Sequence, residues 1–122
     1  MDSFLSEKKI KMINWENEFG GAITVCDRLG IIVYMNEYSK KQFAKYGGEK
    51  LIGTSLIDCH PESARPLLLE MLKTPMNNAY LVEKHGVKKQ VLQTPWMENG
   101  VFKGVVELSF IIPNEMPVHL RG

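Results

Sequence analysis

Cys59-His60-Pro61 is the segment of this chain best suited to chemistry. A thiol and an imidazole stand side by side, just ahead of a stretch with helical spacing. At a helix start, the dipole and the free N–H groups lower a thiol's pKa. Two functional readings follow. His60, or Cys59 as a thiolate, would serve as an axial haem ligand; alternatively, Cys59 would be a redox-sensitive thiol. The structural reading is that His60 hydrogen-bonds a loop carbonyl and Cys59 is a small core residue. Hydrolysis has little to work with. Ser55 and Ser63 lack an identifiable base, and His60 close to Glu62 is too common a pairing to mark a triad. The only other cysteine is Cys26, and His85 and His119 are remote from both, so no zinc-type spacing exists and no disulfide framework is expected. Gly47-Gly48 follows a helical stretch and does not open one, which argues against a phosphate loop.

The elements that must position these residues are legible in turn. Ala22 to Cys26 reads as a strand, Asp27-Arg28-Leu29-Gly30 as a type I turn with Gly30 left-handed, and Ile31 to Met35 as the second arm of a hairpin. Asn36 is a suitable N-cap, with Glu37 in the first turn of a helix that places Ser39, Phe43 and Tyr46 on one face. Leu51, Ile52, Leu56 and Ile57 mark an irregular helical stretch. A stronger helix runs to about Lys73, with Ala64, Leu68, Met71 and Leu72 on one face and Ser63 as its expected cap. Three strands close the chain: Ala79 to Lys84, Val87 to Trp96 and Val101 to Ile112, turned at His85-Gly86 and Glu98-Asn99-Gly100. On the last of them Phe102, Val106, Leu108, Phe110 and Ile112 form one apolar face, partly matched on the other by Val101, Val105 and Ile111. Such a strand belongs mid-sheet with something on its back. A helix over residues 3 to 18, with a narrow stripe of Leu5, Met12, Trp15 and Phe19, is the candidate to cover it. The tail after Pro113 is expected to fray.

Bulk composition excludes several classes. The chain has 122 residues, 44% hydrophobic and 24% charged, with net charge +1. One domain with one core fits that length. So small a net charge provides no field for nucleic acid or anionic lipid. No segment approaches the roughly 20 apolar residues of a membrane span, and the start lacks the form of a secretory signal. A cytoplasmic location is the default expectation.

The order of elements, the Asp27-to-Gly30 turn, Asn36 before the helix, Glu49-Lys50-Leu51-Ile52-Gly53 before an apolar pair, and the final strand with Gly104 together resemble a PAS domain. The resemblance runs from about Gly21 to Ile112. Cys59-His60-Pro61 is also similar to a Cys-His-Pro signature in a subgroup of PAS-like domains. The resemblance implies an α+β fold: a five-stranded antiparallel sheet ordered 2-1-5-4-3, with helices on one face enclosing a pocket. It divides the chain into an N-terminal flanking helix (1–20), a PAS-like domain (21–113) and a flexible tail (114–122).

By the same resemblance the function is that of a sensory module and not an enzyme. It would bind a small apolar or planar ligand, or a signalling protein partner, and relay that state through a homodimer and its flanking helix. The candidate pocket residues are His60, Cys59, Leu68, Met71, Leu72 and Trp96. The cofactor stays open. Haem on His60 or Cys59 is one alternative, although many haem-binding PAS domains carry the ligand further inside the helix, where this chain has Leu68, Leu69 and Met71. A pure dimerisation module with a filled core is the other. Flavin by the photoactive-cysteine route does not match the residues around Cys59.

Overall fold

Asp27 fixes the first hairpin. Its Oδ1 accepts hydrogen bonds from Leu29 N (2.9 Å) and Ile31 N (3.0 Å), and its carbonyl accepts from Gly30 N (2.9 Å). Gly30 closes the turn at φ +83°, where a side chain would be strained. The computed structural model describes residues 13–122. The turn joins β1 (Ala22–Asp27) to β2 (Ile32–Met35), and the chain then forms α1 (Glu37–Gln42), α2 (Arg65–Lys73), β3 (Asn78–Lys84), β4 (Val87–Glu98) and β5 (Val101–Ile112). The five strands make one sheet in the order β2-β1-β5-β4-β3, every pairing antiparallel. This is the fold class and strand order expected from the sequence.

Helical detail departs from expectation in two places. The helix after Asn36 is α-helical only to Gln42 and then tightens into a 3-10 turn, Ala44–Tyr46, ended by Gly47 at φ 119°. The second helix starts at Arg65, after a 3-10 turn over Glu62–Ala64, and its cap position is Ala64, not Ser63. Pro66 sits in its first turn, where a missing N–H costs little. The flanking helix expected over residues 3–18 lies largely outside the described residues; within them, residues 13–18 form irregular and turn backbone.

The core gathers Cys26, Ile32, Met35, Leu56, Leu68, Met71, Leu72 and Val105 between the sheet and the helical segments. The face of β5 that turns inward is the less apolar of the two. Val105 belongs to the core, and Ser109 Oγ donates to Gln42 Oε1 of the α1 helix (3.4 Å), so the helices cover the face of Val105, Glu107 and Ser109. The alternating residues Phe102, Val106, Leu108, Phe110 and Ile112 therefore form the back of the sheet, where each is only half-buried.

Candidate functional site

Between the helical side of the sheet, the end of α1 and the loop from Leu51 to Pro61 lies a cavity of about 640 Å³. Ile32, Met35, Phe43, Leu51 and Leu56 give it apolar walls, and Thr24 and Glu107 face it from the sheet. Tyr46, Asp58, Cys59 and Pro61 line it as exposed residues at its rim. The dimerisation alternative with a filled core expects no such space between helices and sheet.

The segment singled out for chemistry reaches this cavity. Cys59 and His60 both line it. His60 Nδ1 lies 2.8 Å from the carbonyl oxygen of Leu56, which also accepts from Cys59 N at 3.2 Å. With a carbonyl as partner, Nδ1 must carry the proton, so in the neutral ring it is Nε2 that holds the lone pair. His60 does hydrogen-bond a loop carbonyl, as the structural reading held. Cys59 departs from that reading: it is exposed. Both residues precede the helical run that opens with the 3-10 turn at Glu62 and continues as α2, and its cap position is Pro61. The buried thiol is Cys26. Burial pushes it up to about 11 from 9.0, with smaller contributions from the charges of Asp27 and Glu107.

The other expected pocket residues lie elsewhere. Leu68, Met71 and Leu72 are buried in the core on the inner face of α2 and are not part of the cavity wall. Trp96 is half-buried near the end of β4, its indole N–H donating to Glu98 Oε1 at 3.3 Å, and does not line the cavity either.

Sequence reasoning missed a polar row across the sheet. Asn78 pairs with Gln93, Gln93 with Glu107, and Glu107 with Thr24, on four successive strands and all on the helical face. Asn78 Nδ2 donates to Gln93 Oε1 (2.8 Å), and Gln93 Nε2 donates to Glu107 Oε2 (2.9 Å). Thr24 Oγ1 and Ser39 Oγ share a hydrogen bond at 2.7 Å. Thr24, Gln93 and Ser39 are all buried. The signal was present as polar residues among apolar ones on three strands, but only the register aligns them.

Asn36 ties this region to the segment before β1. It is fully buried, and its side chain makes four hydrogen bonds of 2.9 Å: Oδ1 accepts from Ile23 N and Ser39 N, and Nδ2 donates to the carbonyls of Glu16 and Gly21. Glu37 N adds a bond to Asn17 O at 3.0 Å. The cap of α1, the start of β1 and the backbone before it are thus held at one point. One of these partners, Ser39, also bonds the cavity residue Thr24.

Comparison with known proteins gives a consistent picture of the fold. No family model matches the chain, and no curated protein matches it in sequence. Solved structures do. The chain is similar to a structure of the Aer2 receptor from Vibrio cholerae, described as a dual PAS-haem oxygen sensor, with 14% identity and TM-score 0.58, over 76% of this chain and 95% of that one. It is similar to the PAS domain of an HTR-like protein from Haloarcula marismortui, with 15% identity and TM-score 0.57, over 91% and 97% of the two chains. It is similar to the PAS domain of BvgS from Bordetella pertussis, with 17% identity and TM-score 0.56, over 92% and 88%. At these identities the likeness is one of fold. Among the described residues no helix is long and apolar enough to cross a membrane.

Proposed function

We propose that this chain, whose fold is that of a PAS domain, is a sensory module that binds a small molecule in its cavity and passes that state to a signalling partner. The observation that carries the reading is the cavity: about 640 Å³, apolar on most sides, with a few convergent polar groups. Small-molecule sites have that size and character. Occupancy would shift the population between two packings of the α1 cap region. Asn36 is the natural route outward, because it binds the α1 cap, β1 and the backbone at Glu16 and Gly21 together. In this reading the signal leaves through the segment before β1, in a homodimer, and the chain performs no catalysis.

Benzyl alcohol is a suitable probe of the cavity, titrated into labelled protein and followed by NMR. Shifts clustered on Thr24, Phe43, Leu56 and His60, and abolished by the cavity-filling Leu56→Trp, are the expected result. No shifts, or shifts scattered over the surface, would refute ligand binding here. Light scattering tests the dimer.

Haem is the second reading, and one observation favours it. The Leu56 carbonyl orients the His60 ring and leaves Nε2 available, as in histidines that ligate metals. The remaining residues do not fit the group. Haem propionates are anionic, whereas the cavity is lined by Asp58 and Glu107 and by neither lysine nor arginine. An absorption spectrum with and without added haem, beside His60→Ala, tests this; no His60-dependent Soret band is expected.

A further inference from the structure

Glu107 occupies the place in the sheet where a carboxylate is hardest to explain. It lies on β5, the central strand, on the face covered by helices, half-buried between Thr24 and Gln93. A charge withdrawn from water needs a compensating charge or a full set of hydrogen bonds. Glu107 has one neutral donor, the Gln93 amide on Oε2. Among the described residues the only ion pair is Lys40 with Glu37, both on α1, and it does not include Glu107. Lys89, the nearest base on the same face of β4, is committed to Gln42 Oε1 at 2.8 Å.

The row beside Glu107 has a direction. Asn78 donates to the Gln93 oxygen, so the Gln93 amide nitrogen must face Glu107. Two amides in series thus present donors toward the carboxylate and hold it as an acceptor. The charge is felt by its neighbours: the Tyr80 phenol is raised by burial first and by Glu107 second. Glu107 also lines the cavity, and no bond within the described residues engages its Oε1.

We propose that the cavity selects a small molecule with an apolar body and a cationic nitrogen, an alkyl- or arylammonium or an amidinium, which donates to Glu107. The inference rests on the reading of the cavity as a ligand site. The apolar body packs against Met35, Phe43, Leu51 and Leu56, and the cation supplies the partner that the fold does not. Asp58, exposed at the rim, adds to the negative potential at the entrance and disfavours anions.

Three probes sharing one ring test this by NMR titration or calorimetry: benzylammonium, benzyl alcohol and benzoate. Wild-type protein should bind benzylammonium more tightly than benzyl alcohol and reject benzoate. Glu107→Gln, which keeps shape and removes charge, should weaken benzylammonium about tenfold or more, the scale of a hydrogen bond to a charged group. It should weaken benzyl alcohol clearly less than benzylammonium, since a neutral hydroxyl loses a charge-assisted hydrogen bond but no attraction between opposite charges. Equal binding of all three probes by wild-type protein, which needs no variant to fold, would overturn the cation preference while leaving the cavity as a ligand site. Binding of none would overturn both. Unchanged benzylammonium affinity in Glu107→Gln would remove Glu107 from recognition.

Discussion

Replacing Asn36 with alanine removes more than a helix cap. An ordinary N-cap side chain contributes about 1 kcal/mol. Asn36 serves four backbone groups, and Ile23 N, Ser39 N and Gly21 O are buried with it. Each buried group left without a partner costs about 1–3 kcal/mol. The fourth, Glu16 O, is partly exposed and finds water, so it adds little. Three groups at the lower end of that range give a loss of about 3–4 kcal/mol for Asn36→Ala. With a urea slope of about 1.5–2 kcal/mol per molar, the unfolding midpoint falls by about 2 M. Asn36→Asp separates the two halves of the junction. It keeps the acceptor that caps α1, but turns a carboxylate oxygen toward the carbonyls of Glu16 and Gly21. Desolvation and that repulsion raise the new acid's pKa above its unfolded value, so its neutral form is the one the fold favours. Stability relative to wild type at the same pH should therefore recover as the pH falls and the acid becomes a donor. Urea unfolding followed by circular dichroism measures both. A loss of no more than about 1 kcal/mol for Asn36→Ala would reduce the junction to a common cap and refute the reasoning.

Gly104→Ala should cost about 3 kcal/mol or more, or prevent folding, because an added methyl collides with the Cys26 carbonyl oxygen and lies 2.9 Å from Asp27 Cα; a urea midpoint near that of wild type would contradict the packing of β1 on β5. Cys26 and Cys59 should separate cleanly in thiol labelling of the native protein at neutral pH, with Cys59 reacting and Cys26 protected until the chain unfolds. The unfolded chain releases the Cys26 proton near 9.0 and the folded chain only at about 11. The stability linked to this thiol is therefore complete below pH 9 and is lost as the pH rises toward 11. Cys26→Ala should flatten that part of the pH–stability curve relative to wild type, and an identical slope in the two proteins would contradict it.

The strands, their turns and the Asn36 cap could be read from the sequence because each depends on local chemistry: an Asx-type turn closed by Gly30, an N-cap beside Glu37, and alternating residues between turn residues. The sheet order followed from resemblance. The inward face of β5 could not be read this way. Alternation separates Phe102, Val106, Leu108, Phe110 and Ile112 from Val101, Val105 and Ile111 without saying which set turns inward, and the first set forms the back of the sheet. The helices are short, α1 with six residues and α2 with nine. They leave a space that Thr24 and Glu107 face from the sheet. Whether a glutamate on a strand faces water or a cavity depends on its neighbours across three strands, which no single segment contains. An apolar helix face suits a core and a cavity wall equally well, so the spacing of Leu68, Met71 and Leu72 does not distinguish the two. Cys59 and His60 were placed together by adjacency, and the loop brings both to the cavity.

Amide hydrogen exchange with and without benzylammonium is the most direct test of the central claim, that occupancy of the cavity is felt by the segment before β1. The amides of Ile23 and Ser39, bonded to Asn36, and of Glu37, bonded to Asn17, report on that junction. Bound ligand should slow their exchange in wild-type protein and fail to do so in Leu56→Trp. Saturation of the cavity with no change at these three amides would contradict the claim and leave a pocket without a relay.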